Sequence, residues 1–200
     1  ENSFSYMFIS EYNQIIVKCK GVFQMFLLHK VDVTLKKIKS NAANLITILN
    51  MSFGGAAIMA TLNEFYSYSV LFIFIAAFLD RYDGKVARKY NQESELGKQL
   101  DSMGDIISFG VAPALLMYEI ALTDFGVAGM FMAILYIACG ALRLARFNVM
   151  ESTGYFVGLP ITAAGTLLTF SFFFAHVFSP VFYMFLFPIL AVLMISTFTL

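Results

Sequence analysis

SVLFIFIAAFLD-RYDGKVARKY-NQESELGKQL-DSMGD, residues 69–105, is the stretch that decides the fold. An apolar run ends at Leu79 and a polar stretch opens with Asp80; Asp83 follows at i+3, and a second pair, Asp101 and Asp105, stands at i,i+4 before the chain turns apolar again. On helices each pair projects from one face. The apolar segment Tyr66–Leu79 is short for a complete span, so its helix is expected to continue into the polar stretch beginning at Asp80. The link to the next helix is short, so the two pairs are expected to face each other across a tight antiparallel hairpin. Four carboxylates then converge at one edge of a membrane.

The membrane follows from composition. Of 200 residues, 60% are hydrophobic and 13% charged, against roughly 45–50% and about 25% in soluble domains. Six apolar segments can be read, about Leu45–Leu62, Tyr66–Leu79, Leu100–Leu122, Phe125–Leu144, Gly158–Val177 and Phe178–Phe198. The expected fold is all-α: a polytopic membrane bundle of about six helices over residues 40–200, preceded by a cytoplasmic or interfacial segment, residues 1–39. Within that segment Phe23, Phe26, Leu27 and Val31 share a helical face, with Lys30, Lys36, Lys37 and Lys39 available to anionic headgroups. Residues 1–22 carry no clear assignment. The chain opens on Glu1 and stops at Leu200 within an apolar stretch, which gives it the look of a piece of a longer chain, with Met7 and Met25 as candidate starts.

Under an alternating topology all thirteen Lys and Arg fall on one side of the bilayer, including Arg81, Lys85, Arg88, Lys89 and Lys98 between the second and third spans and Arg143 and Arg146 at the end of the fourth. The positive-inside rule makes that side cytoplasmic and places both termini there, in the cell membrane. Gly54-Gly55 and the alanines of the first span read as close-packing positions. Cys19 and Cys139 are far apart, the second in an apolar run, and suggest neither a disulfide framework nor a thiolate metal site. Nothing points to nucleic acid.

Converging carboxylates repel one another, and both repulsion and desolvation grow as water is excluded. A cation is needed. Oxygen ligands without His or Cys favour a hard divalent ion, Mg²⁺ or Mn²⁺, and four carboxylates can hold two of them. Paired metals about 4 Å apart suit phosphoryl-type displacement, and a nearby carboxylate can take the proton of an attacking hydroxyl. Gly84, Ala87 and Gly97 leave room for a nucleotide or a facing backbone.

At these residues the sequence resembles the CDP-alcohol phosphotransferase (phosphatidyltransferase) family, whose signature Asp-x2-Asp-Gly-x2-Ala-Arg-x8-Gly-x3-Asp-x3-Asp is matched at Asp80, Asp83, Gly84, Ala87, Arg88, Gly97, Asp101 and Asp105. Eight fixed positions make a chance match on the order of one in 10¹⁰ per starting position. The resemblance implies a six-helix core, usually dimeric, that moves a phosphatidyl or related group from a CDP-linked donor to an alcohol and releases CMP. It implies Asp80, Asp83 and Asp101 as principal metal ligands, and Asp105 as the catalytic base and a further metal contact. Asp80, Gly84, Ala87, Arg88 and Gly97 would line the CDP-diacylglycerol site.

For the acceptor, Ser108–Pro113, Ala141–Asn148 and Gly158-Leu159-Pro160 are similar to the bacterial and archaeal phosphatidylserine synthase branch of that family. With Ser40–Asn50, the likeness covers roughly residues 40–170. L-Serine is the expected acceptor and CDP-diacylglycerol the expected donor. Ser108, Arg143, Arg146 and Asn148 are the candidates for contacting acceptor or phosphate, since Arg offers a planar fork for a carboxylate or phosphate. Glu93 and Glu95 are read as an exposed loop face. His29 and His176 are read as interfacial residues, and Glu119, deep in the third span, has no assigned role. Glycerol phosphate or inositol phosphate acceptors would demand a denser basic pocket. A prenyltransferase would show two separated Asp-rich motifs. A divalent-cation transporter would bind nearer the bilayer midplane.

Overall fold

The computed structural model describes residues 44–90, 95–149 and 158–196, and within the second helix and at Glu95 the side chains of residues 83–90 and 95 lie outside the description. The interfacial segment, Cys19, His29 and Glu93 fall outside it as well. Among the described residues there is no strand. Helix α1 is Asn44–Leu62, α2 is Tyr66–Tyr90 and α3 is Glu95–Asp105. A wide π-helical turn, Ile106–Val111, joins α3 to α4, Ala112–Met117. A second π turn, Tyr118–Leu122, and a 3₁₀ turn, Thr123–Phe125, end that rod. Then come α5, Val127–Val149, α6, Ile161–Phe170 with a 3₁₀ extension to Phe174, and α7, Pro180–Ile195.

These are six helical rods, as the apolar segmentation predicts. Three are long and apolar enough to cross a membrane, Asn44–Leu62, Leu96–Phe125 and Val127–Val149, while Ile161–Phe174 and Pro180–Ile195 are shorter apolar helices. The protein is an integral membrane protein. The second rod runs to Tyr90, so the helix does carry on past Leu79 through Asp80. Its charged second half is helical because the stretch holds no proline and only one glycine, Gly84.

The α1–α2 connection is tight. Glu64 N–H donates to Thr61 O at 2.9 Å and Phe65 N–H to Ala60 O at 2.9 Å, the paired bonds of a Schellman ending. Glu64 takes the left-handed position, φ +63°, which glycine usually fills. Two prolines sit where their missing N–H costs little: Pro160 caps α6 and Pro180 opens α7. Pro113 lies within the continuous third rod, just past its first π turn, and Pro188 lies inside α7.

The core forms where the third rod, α5, α6 and α7 meet, and its largest fully buried side chains include Tyr136, Tyr183, Phe109 and Phe187. Tyr136 crosses Phe187 edge-to-face with ring centroids 5.7 Å apart. Its hydroxyl donates to Phe109 O, inside the first π turn, at 3.1 Å. A π turn departs from the i→i−4 ladder, so a side-chain donor at that carbonyl fastens the irregular backbone to α5. Small residues set the spacing between rods. A Cβ on Gly54 would collide with the Ser108 side chain and sit 2.9 Å from Ser108 Cα. Gly55, by contrast, faces open space, so only the first glycine of the pair serves close helix packing. Gly158 has φ +80°, and a Cβ there would lie 2.7 Å from Met194 O and 2.8 Å from Ser196 O. The glycine lets the chain entering α6 pass the end of α7, where Leu159 N–H donates to Leu193 O at 3.0 Å. Cys139 is buried as a free thiol.

Candidate active site at the carboxylate cluster

Two rods bring the carboxylates together. Asp80 comes from α2, while Asp101 and Asp105 lie one helical turn apart on α3, the second at the mouth of the π turn. One carboxylate oxygen from each of Asp80, Asp101 and Asp105 lies within 4.8 Å of the others. Asp80 and Asp101 are half-buried; Asp105 is buried, 8% exposed. Its Oδ1 is buried without a hydrogen-bond partner among the described groups.

Three carboxylates at this spacing repel one another strongly in a partly dry site, so a cation is the natural complement. The all-oxygen donor set is that of a hard divalent ion, and the unpartnered Oδ1 of Asp105 adds a buried acceptor to the same place. The residues present therefore suit a metal. The fourth member expected from the spacing, Asp83, belongs to α2 by its backbone, and its side chain, with those of Gly84, Ala87 and Arg88, lies outside the described residues.

A cation of the protein's own also approaches. Arg143, on α5, is half-buried and attracts the Asp105 carboxylate. Its Nε is buried and unpartnered, which leaves part of the guanidinium fork free for an anion. Arg146, one turn on, is exposed. The i,i+3 spacing suggested that one arginine holds the donor phosphate and the other the serine carboxylate; the two differ in burial, and Arg143 feels the Asp105 charge. Gly97 is half-buried on α3.

Two of the acceptor candidates are tied into the protein. Ser108 is fully buried, and its hydroxyl donates across to Asn50 O on α1 at 3.1 Å; it stitches two rods together instead of lining a wall. Asn148 Nδ2 donates to Ser102 Oγ at 2.9 Å, which draws the end of α5 onto α3 beside Asp101. Ser102 Oγ in turn lies 3.1 Å from Lys98 O. Ser102 and Asn50 are the participants that pattern reading passed over. The available signals were a small polar residue next to an expected ligand and an amide within an apolar span.

Glu119 and His176 belong elsewhere. With Glu64, Tyr66 and Phe172 they line a cleft of about 530 Å³. Glu119 lies fourteen residues beyond Asp105 along the third rod, about 21 Å at 1.5 Å per residue.

A helical membrane protein with a convergent aspartate cluster and an arginine beside it is built to manage a phosphate-bearing substrate at the membrane. Residues 40–199 match the CDP-alcohol phosphatidyltransferases, and the chain belongs to that family. It is 44% identical over 125 residues, 62% of this chain and 71% of the relative, to the CDP-diacylglycerol–serine O-phosphatidyltransferase of Bacillus subtilis strain 168. To the archaetidylserine synthase of Methanothermobacter thermautotrophicus it is 38% identical, covering 81% of this chain and 71% of that protein. The CDP-diacylglycerol–serine O-phosphatidyltransferase of Methanocaldococcus jannaschii is 42% identical over 62% of this chain and 56% of its own length.

Proposed function

We propose that this protein transfers the phosphatidyl group of CDP-diacylglycerol to the hydroxyl of L-serine, giving phosphatidylserine and CMP. The observation that carries this reading is the convergence of Asp80, Asp101 and Asp105 within 4.8 Å, with the charges of Arg143 and Asp105 acting on each other, in a chain of this family. The serine named in all three relatives supports the acceptor.

The serine oxygen attacks the phosphorus that bears diacylglycerol. A new P–O bond forms to serine, the P–O bond to the CMP phosphate breaks, and the serine proton passes to Asp105. Asp80, Asp83, Asp101 and Asp105 would hold Mg²⁺ or Mn²⁺, with room for two ions. Such a cation supplies positive charge to the pyrophosphate oxygens and the departing phosphate. Gly84, Ala87, Arg88 and Gly97 line the cytidine diphosphate site. Arg143 uses its fork on a donor phosphate or the serine carboxylate, and Arg146 and Asn148 complete the acceptor side. Ser108, fully buried, supports the wall from behind. The distribution of Lys and Arg supports a site and both termini on the cytoplasmic face of the cell membrane. The working unit is a homodimer.

CMP release measured with serine, glycerol phosphate and inositol phosphate in turn tests the acceptor: serine alone should support turnover. Asp105→Asn should abolish transfer while CDP-diacylglycerol still binds. Retained turnover in that variant would remove Asp105 from the role of base.

A further inference from the structure

The bond between Ser102 and Asn148 fixes more than the spacing of two helices. A serine hydroxyl carries one proton, and that of Ser102 is directed at Lys98 O, 3.1 Å away and one turn back on α3. Toward Asn148 the Ser102 oxygen can then act only as an acceptor. The Asn148 amide must present its Nδ2 there, 2.9 Å from Ser102 Oγ. Its Oδ1, on the other arm of the same planar group, is thereby turned away from Ser102. The local bonding settles which end of the amide is left for a partner: an oxygen, which takes only donors.

The surroundings narrow the choice of donor. Asn148 is half-buried at the end of α5, and Ser102 follows Asp101 of the carboxylate cluster. Five residues earlier on α5, about 7.5 Å at 1.5 Å per residue, Arg143 carries its buried, unpartnered Nε, a donor for anions. The end of α5 therefore offers a cation and a neutral acceptor to the same side of the cluster. Serine has the matching pair, a carboxylate and an ammonium on one carbon. An amide oxygen can serve that ammonium without adding another negative charge to the crowded aspartates.

We infer that Asn148 is a specificity-determining residue: its Oδ1 accepts a hydrogen bond from the ammonium group of the acceptor, and Ser102 is the positioning residue that holds the amide in that orientation. This rests on the proposal that L-serine is the acceptor. Asn148 then discriminates against 3-hydroxypropionate, which has the hydroxyl and carboxylate of serine but no amine.

CMP release by the full chain in detergent, with serine or 3-hydroxypropionate varied at saturating CDP-diacylglycerol, tests this. Asn148→Leu removes the acceptor. It should raise the serine KM about ten- to a hundredfold, the range of a hydrogen bond to a charged group, and narrow the preference over 3-hydroxypropionate by the same factor. The CDP-diacylglycerol KM should stay within about twofold. Asn148→Asp keeps an oxygen for the ammonium while losing the N–H given to Ser102, and should keep the preference. Ser102→Ala frees the amide to rotate and should raise the serine KM at an unchanged donor KM; it carries the test if the leucine variant does not fold. An unchanged serine KM in either folded variant overturns the inference. So does an equal loss of preference in the leucine and aspartate variants, which would make Asn148 a structural tie alone. If the unsubstituted protein turns over another alcohol and not serine, the acceptor reading falls and this role with it. Turnover on serine that Asn148→Leu leaves unaltered removes only the role of Asn148.

Discussion

Adding one methyl group to Gly54 should disable the enzyme from a position outside the carboxylate cluster. In Gly54→Ala the new Cβ lands on the Ser108 side chain and 2.9 Å from Ser108 Cα. Carbon atoms rest at about 3.5–4.0 Å, so α1 must retreat from the third rod by about 0.6–1.1 Å. The backbone atom cannot swing aside as a side chain could. Overpacking of this kind costs about 1–3 kcal/mol. The displacement also stretches the Ser108 Oγ to Asn50 O bond, now 3.1 Å, three residues from Asp105. Misplacing catalytic groups by about 1 Å costs on the order of 10²-fold in rate. Turnover should therefore fall at least tenfold, with a lower melting temperature. Gly55→Ala is the internal control: it meets nothing within 4 Å and should be neutral to slightly stabilising. CMP release and thermal unfolding in detergent, measured on both variants, decide the matter. If Gly54→Ala matches the unsubstituted protein in both, the α1 contact does not govern the site.

Gly158→Ala should destabilise by about 1–3 kcal/mol, because alanine would have to hold φ +80° with its Cβ 2.7 Å from Met194 O; thermal unfolding reads the loss. Arg143→Lys keeps the charge beside Asp105 but removes the planar fork, so CMP release at saturating substrates should drop at least tenfold while the fold survives. Exhaustive chelation should abolish CMP release, and Mg²⁺ or Mn²⁺ should restore it. Full turnover in the chelated enzyme would refute the reading of the aspartates as cation ligands.

Much of this fold was legible because it depends on patterns that single helices express. The apolar segments mark the rods, and the shortness of Tyr66–Leu79 foretells the continuation of α2 to Tyr90. Asp101 and Asp105 share a face because their spacing is close to one turn, and Asp80 meets them. What pattern could not express is tertiary. Gly54 and Gly55 look alike in sequence, but one is pressed against Ser108 and the other faces open space. Arg143 and Arg146 have spacing suited to one face, yet the first is half-buried and feels the Asp105 charge while the second is exposed. Ser108 reads as a hydroxyl near a site, and only its burial and its bond to Asn50 reveal a tie between rods. The π turns leave no mark in composition at all.

The first of those turns has a consequence for the direction in which the aspartates face. Between Asp105 and Ala112 the backbone is underwound, a wider turn than an α-helix, and the Tyr136 hydroxyl grips it at Phe109 O. A π turn spends more residues on each turn than an α-helix, so each of its residues rotates the chain by less than the about 100° of an α-helix. Straightening Ile106–Val111 into ordinary helix at the same length would therefore over-rotate the chain, swinging Asp101 and Asp105 away from Asp80 while Pro113 and everything after it stayed seated in the core. The width of this turn sets the face on which the aspartates stand.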